Sequence, residues 1–198
     1  MERLLNLAMR VGAVLAALAF VFAASNVGVK AQEPLTILGL TIPDRVAGLP
    51  HSQPYDFEKT SPGLGYSIEF QRPSWRIDVY IYDLRMTSIP DDPMSDVIKN
   101  QLAQAKGDVF ALEKRGNYAD VALKDEYTVS DREGRTRFVC ASFNYVHKAM
   151  AATVDSYLCL TSWKNKFFKI RMTARQGDTT RATTAQFVEA WINVLWPL

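Results

Sequence analysis

Few residues in this chain are suited to chemistry, and they are scattered. Two cysteines, Cys140 and Cys159, and two histidines, His51 and His147, make up its whole complement of thiols and imidazoles. A catalytic triad or a zinc site, which wants about four Cys, His or carboxylate ligands, would have to draw on one of those histidines. His51 lies among prolines, and His147 has only Asp155 for local company. No H-E-x-x-H, G-x-S-x-G, phosphate-binding G-x-x-x-x-G-K or calcium-loop pattern occurs. The residues therefore call for no metal and no cofactor. Asp91, Asp92 and Asp96 cluster at one point, where a hydrolytic carboxylate pair is conceivable. Helix capping and neutralisation of a helix dipole account for them more simply.

The cysteines carry the strongest signal. When the segment from Arg135 to Trp163 is folded about Ala149 and Met150, Cys140 lands opposite Cys159. The same register sets Val139, Ala141, Phe143 and Tyr145 against Leu160, Leu158, Ser156 and Val154, making one face apolar. A slip of one residue would turn every side chain over. Directly opposed antiparallel positions hold Cα atoms roughly 4.5–5.5 Å apart, within the reach of a disulfide. Two buried thiols or a redox couple are the alternatives, but C-x-x-C is absent. Chain entropy assigns such a bridge about 3 kcal/mol, less whatever strand pairing already supplies.

A candidate binding surface lies on another strand. Arg76, Asp78, Tyr80 and Tyr82 alternate with Trp75, Ile77, Val79 and Ile81 and so share one face. Charged and aromatic side chains together suit glycans or peptides. The same four residues would instead be interlayer packing if a helix covered them.

Several elements must position these residues. The stretch 32–65 is rich in proline and glycine and reads as an ordered loop over the core, with a helical turn within 43–48. Tyr66, Ile68 and Phe70 alternate ahead of a turn at 71–74, so 66–70 and 75–82 form a hairpin. Asp92 as N-cap and Pro93 as first helical residue open a helix, in which Met94, Val97, Ile98, Leu102 and Ala105 are periodic and Gly107 ends the run. Phe110 to Arg115 is ambiguous and allows a short strand. Strands follow at about 119–130, 135–147, 153–163 and 167–175. The last of them presents Lys169, Arg171 and Thr173 on its polar face. A final helix from Thr179 or Thr180 to Pro197 places Ala185, Val188, Trp191, Ile192 and Leu195 on one side. Short links favour antiparallel neighbours. The expected class is α+β, an antiparallel sheet of about six strands flanked by two main helices.

Residues 1–31 read as a secretory signal: Arg3 and Arg10, an apolar run from Val11 to Ala24, then Val29-Lys30-Ala31. Cleavage is expected near Ala31, with Ala23 or Ala24 as alternatives. An uncleaved anchor would need about 20 apolar residues, more than this run holds unless Leu4 to Ala8 join it across Arg10. The remainder, 66–198 with its leading segment 32–65, is the size of one domain. Loss of Arg3, Arg10, Lys30 and Glu2 would cancel the +2 charge of the whole chain. A neutral exported chain is a poor nucleic-acid binder. Charge is nevertheless uneven. Residues 32–131 hold 10 basic and 16 acidic side chains, whereas 132–198 hold 10 and 4. The halves either interleave and neutralise each other or leave a positive face for an anionic partner.

The element order, with Gly65-Tyr66-Ser67-Ile68 opening the first hairpin and an amphipathic helix over 180–195 after the last strand, resembles the PsbP/Mog1-like fold. That resemblance implies helices flanking a central antiparallel sheet. The fold hosts scaffolding, photosystem-associated and secreted proteins, so it transfers no activity and no functional residue.

These features favour a periplasmic binding or accessory module, held by one disulfide and without a catalytic role. Its ligand would be a small molecule, a glycan or an envelope protein. Two other readings stand beside it. One is an envelope hydrolase built from carboxylates and His147; the other is a membrane-tethered protein, its signal uncleaved, using its basic half on anionic lipid.

Overall fold

The computed structural model describes residues 35–197; the expected signal, 1–31, lies outside them. The chain folds in the order β1 (Leu35–Ile37), β2 (Leu40–Ile42), β3 (Arg45–Val46), β4 (Leu49–Pro50), β5 (Tyr55–Asp56), β6 (Tyr66–Arg72), β7 (Trp75–Tyr82) and α1 (Asp96–Lys114). Then come β8 (Tyr118–Ser130), β9 (Thr136–His147), β10 (Ala152–Trp163), β11 (Lys166–Arg175) and α2 (Arg181–Leu195). The class is α+β, with seven antiparallel strands in the order β5-β6-β7-β11-β10-β9-β8. The seventh is β5, where Tyr55 and Asp56 pair with Ser67 and Tyr66. Two residues are too few to leave an alternation in the sequence.

The main hairpin has the expected register. Cys140 pairs with Cys159, Val139 with Leu160, Ala141 with Leu158, Phe143 with Ser156 and Tyr145 with Val154. The cysteines are joined, with Cα atoms 4.1 Å apart. Both are 1% exposed. They lie in the core layer under α2, with Ile77, Phe138, Phe168 and Trp191. The opposite face of the same strands, Val139, Ala141, Phe143 and Leu158, packs with Ile98, Leu102 and Val109 of α1. A sheet covered on both faces loses its polar rows, which is why β9 is buried without a break from Phe138 to Phe143.

α1 begins later and runs further than the sequence indicates. Its N-cap is Ser95, whose side chain accepts from the Ile98 amide. Asp92 instead accepts from the Met94 amide in the turn before it. Gly107 does not end the helix. Its Cβ position is open, and the left-handed residue that a stop requires is Gly116, at φ 77°. The ambiguous segment 110–115 is therefore the last turn of α1 and its cap.

The segment read as a loop with a helical turn is instead two hairpins, β1–β2 and β3–β4. Each turns on two residues of positive φ, Leu38-Gly39 and Ala47-Gly48, the geometry of a tight type I′ connection. Ile37, Leu40, Ile42 and Val46 are buried there in the α2 core. α2 opens on a capping box in which Thr180 and Thr183 each accept from the other's backbone N–H. Trp191 fills the centre of this layer, its ring 4.9 Å from Phe168 and 5.9 Å from Phe70. No helix among the described residues is long and apolar enough to cross a membrane.

Candidate functional site

The chain passes from β7 through α1 to the far edge strand β8 and returns through β9 and β10, so that β11 docks against β7. That closure sets Arg171 between Asp78 on β7 and Leu158 on β10. Where the cover of α1 ends, a cleft of about 440 Å³ opens on this face; none of its lining residues comes from α1. Arg171 and Thr173 lie in it with Tyr145, Tyr118 and His147, and Trp75, Arg76, Asp78 and Tyr80 of the neighbouring strand β7 are also part of its lining.

The Arg171 guanidinium donates through Nη2 to Tyr145 Oη at 3.2 Å and to Tyr118 Oη at 3.3 Å. The two tyrosine rings stack at 4.2 Å. Ser156 and Thr173 hydroxyls meet at 3.2 Å nearby. Asp78 is the cross-strand neighbour of Arg171, yet both its carboxylate oxygens are held by Arg76, at 3.0 Å from Nε and 3.3 Å from Nη2. Arg171 thus has no ion-pair partner among the described residues, and its Nε and Nη1 donors have no hydrogen-bond acceptor there. Two positions along β11, Lys169 is likewise without a carboxylate partner. Its Nζ lies 4.4 Å over the Tyr80 ring and 5.3 Å over that of Tyr82, in a smaller neighbouring groove of about 190 Å³.

Electrostatics follow from this packing. Burial alone would lower the Arg171 pKa, but the Tyr145 and Tyr118 oxygens beside it raise it. Burial would push the Tyr145 hydroxyl up. The Arg171 charge, with hydrogen bonds from Ser156, Thr173 and Tyr118, overcomes burial and brings it below the ordinary tyrosine value. Lys169 is shifted down by burial and by the neighbouring Arg171 charge.

The residues singled out in the sequence separate. Arg76, Asp78 and Tyr80 form a wall shared by the Arg171 cleft and a second depression of about 380 Å³ toward β5. Tyr82 lies apart from the cleft, 5% exposed and next to α1, where its hydroxyl accepts from Gln101 and its ring meets Phe167. His147 lines the cleft, with Nδ1 accepting from the Met150 amide at 3.4 Å. Asp155 is on the opposite face, where it accepts from Asn144 and the Gly177 amide, so the His147–Asp155 pair does not form. Asp78 is the one carboxylate lining the cleft. His51 packs edge-on to Phe70 at 5.8 Å. Among the described residues, no group of three or more His, Cys, Asp or Glu side chains is placed to hold a metal ion.

Much of the charge asymmetry is internal pairing: Lys166 meets Asp83, Arg181 meets Asp125 and Arg137 meets Asp131. The same applies to a further depression of about 240 Å³ between the β8–β9 turn and α2. There Arg135 and Arg137 both close on Asp131, and Arg137 also stacks at 4.5 Å on Trp196. The Arg171 cleft differs in holding a partly buried guanidinium that no carboxylate neutralises; Arg132, which lines the other depression and also lacks an ion pair among the described residues, is exposed. Arg171, Tyr145 and Tyr118 were not evident as a site in sequence; the polar alternation of Lys169, Arg171 and Thr173 was the available signal.

No protein family and no curated protein matches the chain. Among solved structures, it is similar to PsbP (CyanoP) of Synechocystis sp. PCC 6803, at 12% identity over 70% of this chain and 77% of that one, with a TM-score of 0.42. It is also similar to the Ran-binding protein Mog1p of Saccharomyces cerevisiae, at 13% identity over 79% and 84%, with a TM-score of 0.37. Both are of the PsbP/Mog1 fold that the element order resembles. No ligand, partner or residue is carried over from either.

Proposed function

We propose that this chain is an exported, non-catalytic binding or accessory module whose ligand seats in the cleft over Arg171. The observation that carries the reading is the Arg171 guanidinium itself. It lies on two tyrosine hydroxyls while the nearest carboxylate in the ladder, Asp78, is committed to Arg76. A partly buried cation without a counter-ion is costly unless a ligand supplies one. The cleft's size is within the usual range for small-molecule sites, about 300–1,000 Å³. Its lining pairs no nucleophile with a base: His147 Nδ1 is occupied by a backbone amide and Asp78 by Arg76. The Cys140–Cys159 disulfide supports an oxidising compartment such as the periplasm.

A mixed library of small acids, amines and neutral compounds, screened through the protein's amide NMR spectrum, tests this reading. Compounds are expected to move the Arg171, Thr173 and Tyr145 amides and to remain chemically intact. Steady consumption of a compound, abolished by Arg171→Gln, would make the cleft an active site instead.

A further inference from the structure

The charge and shape of the cleft define a class of ligand more narrowly, and this step rests on the reading of the cleft as the binding site. We propose that it seats a small monocarboxylate with a flat, apolar body, the carboxylate on Arg171 and the body against Trp75, Tyr80 and Tyr118.

The first ground is a count of charge among the lining residues. Arg76 and Asp78 cancel through a two-point contact. Lys169 belongs to the neighbouring groove on the other side of Tyr80. Arg171 is then the one guanidinium in the cleft without a carboxylate, and a single positive charge matches a single negative one. A dianion would leave half its charge uncompensated in a partly dehydrated site.

The second ground is donor geometry. Nη2 is committed to Tyr145 and Tyr118, which fixes the plane of the guanidinium. Nε and Nη1 keep N–H groups for an oxyanion, and charge-assisted bonds of this kind are the stronger ones. These two N–H groups lie on different sides of the guanidinium, so each offers a carboxylate oxygen a single charge-assisted bond.

The third ground is the aromatic lining. Trp75 is anchored by its Nε1 donating to the Asp178 carbonyl at 3.0 Å, with Arg72 stacked 4.5 Å over it. Tyr118 is held by its stack on Tyr145. Trp75, Tyr80 and Tyr118 line the cleft together with the exposed Met150, and aromatic and thioether side chains suit a flat, apolar body beside the carboxylate.

Three probes separate the possibilities when titrated into the disulfide-bonded protein and followed by amide shifts: benzoate, its neutral analogue benzamide, and the dianion phenyl phosphate. Benzoate is expected to move the Arg171, Tyr145 and Thr173 amides saturably. Benzamide should bind at least tenfold more weakly, and Arg171→Gln should weaken benzoate at least tenfold. Asp78→Asn, which releases Arg76 and adds a positive charge, should tighten benzoate severalfold; this gain does not depend on the Arg171 variant folding. Equal binding of benzamide would overturn the anion assignment while leaving the cleft as the ligand site. Tighter binding of phenyl phosphate would overturn the monocarboxylate assignment. Benzoate binding that Asp78→Asn leaves unchanged or weakens would overturn the charge argument. If none of the probes and no library compound moves these amides, both this inference and the binding-site reading fail.

Discussion

Arg171 and Asp78 face each other across the β7–β11 ladder, yet they form no ion pair, because the Asp78 carboxylate is closed on Arg76 of its own strand. Arg171 turns instead to the hydroxyls of Tyr145 and Tyr118, contributed by two other strands. The arrangement keeps a cation at the cleft and uses its nearest counter-ion elsewhere.

One consequence is spectroscopic. With its pKa below the ordinary tyrosine value of 10, Tyr145 should ionise ahead of the buried tyrosines Tyr82 and Tyr127 on alkaline titration. Burial drives Tyr82 and Tyr127 the other way, Tyr127 to about 12. An early tyrosinate absorbance step is therefore expected in the native protein, lost in Tyr145→Phe and moved to higher pH in Arg171→Gln. Because the folded pKa of Tyr145 is below its unfolded value, this group adds stability as pH rises toward 10. Tyr127 acts oppositely, and its contribution is lost between about 10 and 12.

Much of the fold was legible in the sequence because two independent patterns agreed. Cys140 and Cys159 chose the same register as Val139, Ala141, Phe143 and Tyr145, and the alternation of Trp75 to Tyr82 and of Phe168 to Ala174 marked faces directly. The N-terminal hairpins were hidden because strands of two or three residues leave little periodicity, and Leu38 and Ala47 are not residues that announce a positive φ. Gly107 misled because a glycine ends a helix only where the backbone must turn left-handed. The cleft was the least legible feature. Alternation tells which face Arg171 occupies, but not that β11 would meet β7 or that Tyr118 and Tyr145 would converge on it from β8 and β9.

The glycines provide a paired test of that distinction. Gly65 has φ 63°, and a Cβ there would sit 1.9 Å from the Ile81 carbonyl oxygen, against backbone that cannot yield. Gly65→Ala should cost about 3 kcal/mol or more. Gly107, inside α1 with open space at its Cβ, should do the reverse. Gly107→Ala is expected to stabilise by about 0.5–1 kcal/mol. Urea denaturation of the two variants measures both.

Trp191 is 0% exposed at the centre of the α2 layer. Its truncation to alanine should remove about 3–5 kcal/mol. Its Nε1 has no hydrogen-bond partner among the described residues, so Trp191→Phe forfeits packing but no hydrogen bond. A loss on the order of 1–2 kcal/mol is expected for that variant, read by thermal and urea unfolding.

The disulfide staples strands that already pair. Replacing both Cys140 and Cys159 with alanine should lower stability by about 2–3 kcal/mol while leaving the amide spectrum native-like. Reductant should then destabilise the parent protein and leave the double variant unaffected.

Ligands are proposed to enter over Arg171. A crystallographic fragment screen tests this most directly, because it reports position without presuming a ligand. Bound fragments are expected to cluster against Arg171, Tyr118 and Trp75, with acids over-represented and their carboxylates within hydrogen-bond distance of Arg171 Nε or Nη1. Fragments gathered instead beside Trp196, in the depression between the β8–β9 turn and α2, with the Arg171 cleft bare, would contradict it.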